Sequence, residues 1–147
     1  MATRRLNTDK VIEALNEIFE HEMAGVVRYT HFALNTFGYA RIPIVGWFNE
    51  NAEESLMHAR LVGEHITNLG GHPSPKVGKI PTTHKHDIDT LLEESLTHEN
   101  AAIAAYERLL KLVEGKNIAL EEFARSQIAE EMLHVAGMEK MLRAPGS

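Results

Sequence analysis

Two stretches of the chain repeat one pattern: His-Glu-Met-Ala-Gly-Val-Val-Arg-Tyr at 21–29 and His-Glu-Asn-Ala-Ala-Ile-Ala-Ala-Tyr at 98–106. In each, a glutamate stands seven residues before a tyrosine inside a run with helical periodicity. Seven residues are two turns, so Glu22 shares a helix face with Tyr29, and Glu99 with Tyr106. Twenty-five residues beyond each tyrosine comes another glutamate and then a histidine, Glu54 with His58 and Glu131 with His134. A single offset of 77 residues carries Glu22 to Glu99, Tyr29 to Tyr106 and Glu54 to Glu131. Four glutamates and two histidines in a duplicated helical pattern point to one metal-binding bundle.

Apolar periodicity predicts four helices, over roughly 8–36, 43–69, 87–114 and 118–143. Val11, Leu15, Ile18, Phe19, Val26, Tyr29 and Ala33 form the apolar stripe of the first. Trp47, Ala52, Leu56, Ala59, Val62, Ile66 and Leu69 form that of the second. Asn7 or Thr8, Asp87 and Asn117 are placed to cap the first, third and fourth, and Pro43 is preset for the first turn of the second. Between the second and third lies a stretch without helical period, about 70–86, holding Pro73, Pro75 and Pro81, which reads as a crossover connection. Nothing reads as a strand. The expected fold is all-α, a four-helix bundle with one long crossover, in a single domain spanning 1–147.

Composition removes several rival chemistries. At 147 residues the chain is long enough to bury a core, and having no cysteine it has no disulfide, thiolate metal site or cysteine nucleophile. Acidic residues outnumber basic ones 21 to 15, and apart from Arg4 and Arg5 the basic ones are scattered. That balance argues against nucleic acid as a partner and suits a protein that attracts cations. No apolar run reaches membrane-spanning length, and the first residues lack an apolar signal core, so no membrane and a cytoplasmic location are expected.

Hard and borderline cations favour carboxylate oxygens and imidazole nitrogens. Glu131 and His134, at i and i+3, can serve one metal from one helix face. Two such helices, with one glutamate from each of the other two, make the inward constellation of carboxylate-bridged di-metal bundles. Four buried carboxylates without cations would each cost several kcal/mol or take up protons. Tyr29 and Tyr106, two turns from these groups, are placed to hydrogen-bond them or to serve one-electron chemistry beside the metals.

With these residues the chain resembles a bacterioferritin-type member of the ferritin-like superfamily over essentially its whole folded length. The resemblance rests on Glu-x6-Tyr twice, Glu-Glu-Met-Leu-His at 130–134, and Met-His-Ala at 57–59 followed by Leu-Gly-Gly at 69–71. It implies a ferritin-like topology and a di-iron centre with Glu22, His58, Glu99, Glu131 and His134 as ferroxidase ligands. It further implies iron storage or detoxification, with Fe(II) as substrate, O2 or H2O2 as oxidant, and assembly into a homo-oligomer.

Three departures qualify that pattern. The family's second-helix glutamate stands three residues before the histidine, where this chain has Ser55. Glu54 lies four before His58, and the 77-residue offset selects it as the bridging ligand, through i, i+4 spacing or a π-bulge, with Glu50 and Glu53 as fallbacks. The family's haem-ligating methionine stands two before that histidine, where this chain has Leu56; Met57, on another face, reads as packing, which disfavours haem. The family's short fifth helix has no counterpart after Arg143, which favours a dimer or a small shell.

Other polar residues receive plainer readings. Glu13, Glu17, Glu64, Glu107, Glu114 and Glu139 read as solvated surface charges. His21 and His98 turn away from the ligand glutamates and read as exposed or as part of a helix interface. His72, His84 and His86 belong to the crossover, while Trp47, Met23, Met132, Met138 and Met141 read as core or subunit contacts. Two rivals to iron storage share the ligands: a di-iron redox enzyme that stores no mineral, and an iron-binding cargo protein. A DNA-protecting mini-ferritin fits less well, since no basic tail is present.

Overall fold

A computed structural model of the chain describes residues 5–147; Arg4 and the first residues read above for a signal core lie outside them. Four helices follow in order, α1 (Thr8–Leu34), α2 (Arg41–Asn68), α3 (Ile88–Val113) and α4 (Ile118–Leu142), with no strand among the described residues. Asn7 starts α1 by accepting the Lys10 N–H at 3.2 Å. Asp87 and Asn117 start α3 and α4 by accepting from the Thr90 and Leu120 N–H groups, both at 3.0 Å. Each satisfies a donor that the first turn leaves free. Helix α2 has no side-chain cap, but Pro43 in its first turn has no N–H to leave unpaired. Gly70 (φ +85°) and Gly115 (φ +70°) adopt the left-handed backbone that closes α2 and α3.

α1 packs along α2 and α3, and α3 along α4, so the helices run around the bundle in the order α2, α1, α3, α4. The long connection from α2 crosses the α1–α3 groove, pinned by Gly78 N–H to the Glu20 carbonyl (2.9 Å) and by Thr83, whose N–H and hydroxyl both reach Glu94 Oε1 at 2.7 Å. A Cβ on Gly78 would meet that same carbonyl oxygen at 2.9 Å, so only glycine fits so close to α1. This is the ferritin-like bundle that the helical pattern predicts. No helix among the described residues is long and apolar enough to cross a membrane.

The core is split. One apolar cluster gathers Leu15, Ile18, Val62, Ile66, Leu109 and Leu120 around Tyr106; the other gathers Phe32, Ile44, Phe48 and Leu91 around Tyr29. Between them runs a buried polar belt that contains Glu22, Ser55, His58, Glu99, Gln127 and Glu131. The clusters supply the hydrophobic driving force and the belt draws on it. Leu109→Ala in the first cluster, where Leu109 is fully buried, is therefore expected to cost about 2–5 kcal/mol in denaturant unfolding of the metal-free protein.

Candidate metal centre

The belt brings the sequence-predicted residues together from all four helices. Glu131 is central. Its Oε1 lies 3.3 Å from His58 Nδ1 and its Oε2 lies 3.6 Å from His134 Nδ1, so one carboxylate spans both imidazoles. Glu22 Oε2 sits 3.5 Å from the same His58 nitrogen. Two three-residue clusters with metal-ligand spacing result, Glu22–His58–Glu131 and Glu99–Glu131–His134, and they share Glu131. The tyrosines bind crosswise: Tyr29 donates to Glu99, and Tyr106 donates to Glu22 at 3.2 Å. Each hydroxyl from one half of the repeat thus orients the glutamate of the other.

Protons and imidazolium groups balance the carboxylates in the metal-free chain. Burial, and then a hydrogen bond to Glu131, raise Glu99 well above the usual carboxylate range. Burial also raises Glu22, against hydrogen bonding to His58. Against the upward push of burial, hydrogen bonds from Glu99, His134 and His58 hold Glu131 well below that range. Against the downward push of burial, Glu131 and Glu22 lift His58 to about 11. Hydrogen bonds to Glu131 and Glu54 lift His134 to about 10. An imidazole nitrogen must shed its proton before it can bind a metal.

Of the two routes offered for Glu54, the π-bulge is absent. α2 is a continuous α-helix from Arg41 to Asn68, with no π-bulge and no extra residue between Glu54 and His58. At three residues before His58, Ser55 therefore takes the buried place that Glu131 takes before His134, and its hydroxyl faces Gly25. Glu54, one residue earlier, stands at the rim with its side chain 28% exposed and its Oε2 3.3 Å from His134 Nε2. Its counterpart is Glu130, whose Oε1 lies 3.4 Å from His58 Nε2. Glu54, His58 and Glu130 form a third cluster of metal-ligand spacing. Sequence reasoning passed over Glu130, although Glu-x3-His occurs at both 54–58 and 130–134 and marks it. The fallbacks Glu50 and Glu53 are exposed, as is Met57.

The rim opens between α2 and α4 into a cavity of about 260 Å³ lined by Trp47, Glu50, Asn51, Glu54, His134 and Met141. On the opposite side of the bundle His21 and His98 stack with ring centroids 4.0 Å apart, and His21 Nε2 donates to the His98 carbonyl at 2.9 Å. They form a helix interface, and burial followed by the nearby His21 and Arg28 lowers His98 to about 3. The donor set suits hard or borderline divalent ions. It offers three buried carboxylates and two imidazoles, and among the described residues His58 Nε2 and Glu131 Oε2 lack a hydrogen bond.

Fold and site together define a carboxylate- and histidine-lined ferritin-like bundle. The Ferritin-like domain family model matches residues 12–145, and the chain belongs to that family. Bacterioferritin of Desulfovibrio desulfuricans is 29% identical over 137 residues, covering 90% of this chain and 74% of the relative. A ferritin-like di-iron-carboxylate protein from Bacillus anthracis superposes with a TM-score of 0.87 at 25% identity, covering 92% of this chain and 97% of that one. A dodecameric thioferritin related to bacterioferritin, from Bacteroides fragilis, superposes with a TM-score of 0.84 at 28% identity, covering 94% and 87%.

The raised imidazoles give a pH dependence with a definite sign. A group whose folded pKa lies above its unfolded value stabilises fully below about 6.5 and loses that contribution as pH climbs through the folded value. The stability gap between the metal-free wild type and His134→Gln is thus expected to narrow from about pH 6.5 up to about pH 10 in denaturant titrations. Co(II) binding in weak buffer is expected to release protons, with apparent affinity rising with pH. Affinity that does not depend on pH would show that the imidazoles are not ligands.

Proposed function

We propose that this chain is an iron-storage or iron-detoxifying ferroxidase that oxidises Fe(II) between its four helices. The observation that carries the reading is Glu131, one buried carboxylate facing two imidazoles, with Glu22 and Glu99 flanking the two positions it joins. In this reading Glu22, His58 and Glu131 hold one Fe(II), and Glu99, Glu131 and His134 hold the other. Glu54 and Glu130 line the mouth, adding charge that the serine at position 55 withholds from the interior. A metal pair there would supply electron transfer to O2 or peroxide.

The chain's own residues bind, orient and move protons. His58 and His134 give up protons as the ions enter, and the rim carboxylates Glu54 and Glu130 stand within reach to relay them to solvent. Tyr29 and Tyr106 fix the orientation of Glu99 and Glu22 by donating to one oxygen of each, which leaves the other oxygen free for metal. The apolar clusters on either side keep water from the belt.

Assembly with copies of itself is part of the proposal. Val27, Leu34, Met57 and Leu61 expose an apolar face along α1 and α2, and the related Bacteroides fragilis protein is a dodecamer. A closed shell would favour storage. An isolated dimer would favour the redox enzyme without mineral, which uses the same ligands, and native mass measurement separates the two. Haem is not part of the proposal: Leu56 carries no metal-binding atom.

Aerobic oxidation of added Fe(II) tests the centre directly. Glu22→Ala and His134→Ala are each expected to slow the initial rate about tenfold or more, and Tyr106→Phe by less, since it removes only an orienting hydrogen bond. Unchanged rates in both ligand variants would refute the site.

A further inference from the structure

On the face away from the metal mouth, α1, α3 and the crossover enclose a cavity of about 450 Å³. Its walls carry Arg28, Thr97 and His98, and its roof carries Lys79, Thr82 and Thr83. Arg28 is only 3% exposed, and among the described residues its Nε and Nη1 and the facing Glu94 Oε2 have no hydrogen-bond partner. The neighbouring Glu94 does not satisfy it. Glu94 Oε1 is taken by the two donors of Thr83, and Oε2 stands 3.9 Å from Arg28 Nη1, inside ion-pair range but beyond a hydrogen bond. The guanidinium carbon lies 5.7 Å from the Phe32 ring centroid, so its position has aromatic support.

A buried guanidinium with two idle donors is costly unless something accepts from it. With Arg28 and Lys79 as cations against the single carboxylate of Glu94, the cavity carries one excess positive charge in a chain whose net charge is −6. The roof is built rather than draped, being tied to α1 through Gly78 and to α3 through Thr83. Arg28 also breaks the internal repeat: 77 residues on, the matching position is Ala105. No ligand of the metal centre requires an arginine at this place.

We propose that this cavity binds a free oxyanion of the phosphate class. Arg28 and Lys79 would supply the charge, and the threonine hydroxyls would complete the cradle. This site is distinct from the metal centre and stands whether or not that centre is a ferroxidase.

Full-length protein, dialysed free of phosphate, is titrated with inorganic phosphate at fixed ionic strength while binding heat and melting midpoint are followed. Wild type is expected to bind saturably, with a rising midpoint, because a ligand that prefers the folded chain stabilises it. Arg28→Gln is expected to weaken binding about tenfold or more, and Arg28→Lys by less, with Co(II) binding at the metal centre unchanged in both. Should Arg28→Gln fail to fold, Lys79→Gln and Thr97→Val give the same test with losses of a few-fold each. Absence of saturable phosphate binding to wild type overturns the proposal, and so does equal binding by Arg28→Gln. A third contrary outcome is an Arg28→Gln protein that dissociates in sedimentation while phosphate binds neither form. The cavity would then receive a carboxylate from a second copy of the chain.

Discussion

Three carboxylates, those of Glu22, Glu99 and Glu131, are taken out of water in the middle of this bundle, and the rest of the structure is arranged around making that tolerable. An isolated buried carboxylate costs several kcal/mol or captures a proton. Here both remedies operate. Glu99 is held neutral, while Glu131 stays ionised because imidazolium groups face it from two sides. These positive charges offset the ionised carboxylate without any metal. The belt is consequently folded as it stands, and in the proposed reading cations would compete with protons for it.

Such a belt can exist only because apolar packing on either side supplies what it lacks. The two clusters use different parts of the helices, α1 start with α2 end in one and α1 end with α2 start in the other. Each contains one of the paired tyrosines, so each tyrosine ring belongs to the hydrophobic core while its hydroxyl belongs to the belt. The crosswise bonds from Tyr29 to Glu99 and from Tyr106 to Glu22 tie the two halves of the repeat to one another.

Much of this was legible in the sequence. Helix ends follow from Asn7, Asp87, Asn117, Gly70 and Gly115, whose local chemistry acts within a turn or two. The meeting of Glu22, His58, Glu99, Glu131 and His134 follows from helical phase and the repeat. What escaped was the register of α2 against α4. Two offsets compete in the sequence: 77 residues aligns Glu54 with Glu131, whereas 76 aligns Glu54 with Glu130 and His58 with His134. The longer α1–α2 connection absorbs the extra residue, so the regular helix places Ser55 inside and Glu54 at the rim. A loop of unequal length leaves no periodic trace, and a helix interruption was the wrong place to seek it. Arg28 was illegible for a related reason. Its burial depends on how an aperiodic crossover folds back over α1, and tertiary geometry alone sets that.

The bundle is electrostatically two-sided. Between α2 and α4, Glu54 and Glu130 stand half-exposed around the imidazoles and give the mouth a negative rim that favours entering cations. Between α1 and α3, Arg28 and Lys79 put positive charge under the crossover. The stacked His21 and His98 line the same cavity, with the His98 ring against Tyr29 at 5.9 Å. Burial and the neighbouring cationic group keep His98 neutral, so it adds no charge to either side. With glutamate at position 55, to match Glu131, and alanine at position 28, to match Ala105, the interior would be symmetric and the outer groove plain. Ser55 removes one carboxylate from the centre and Arg28 builds a cationic cavity behind it, which separates where cations approach from where anions are favoured.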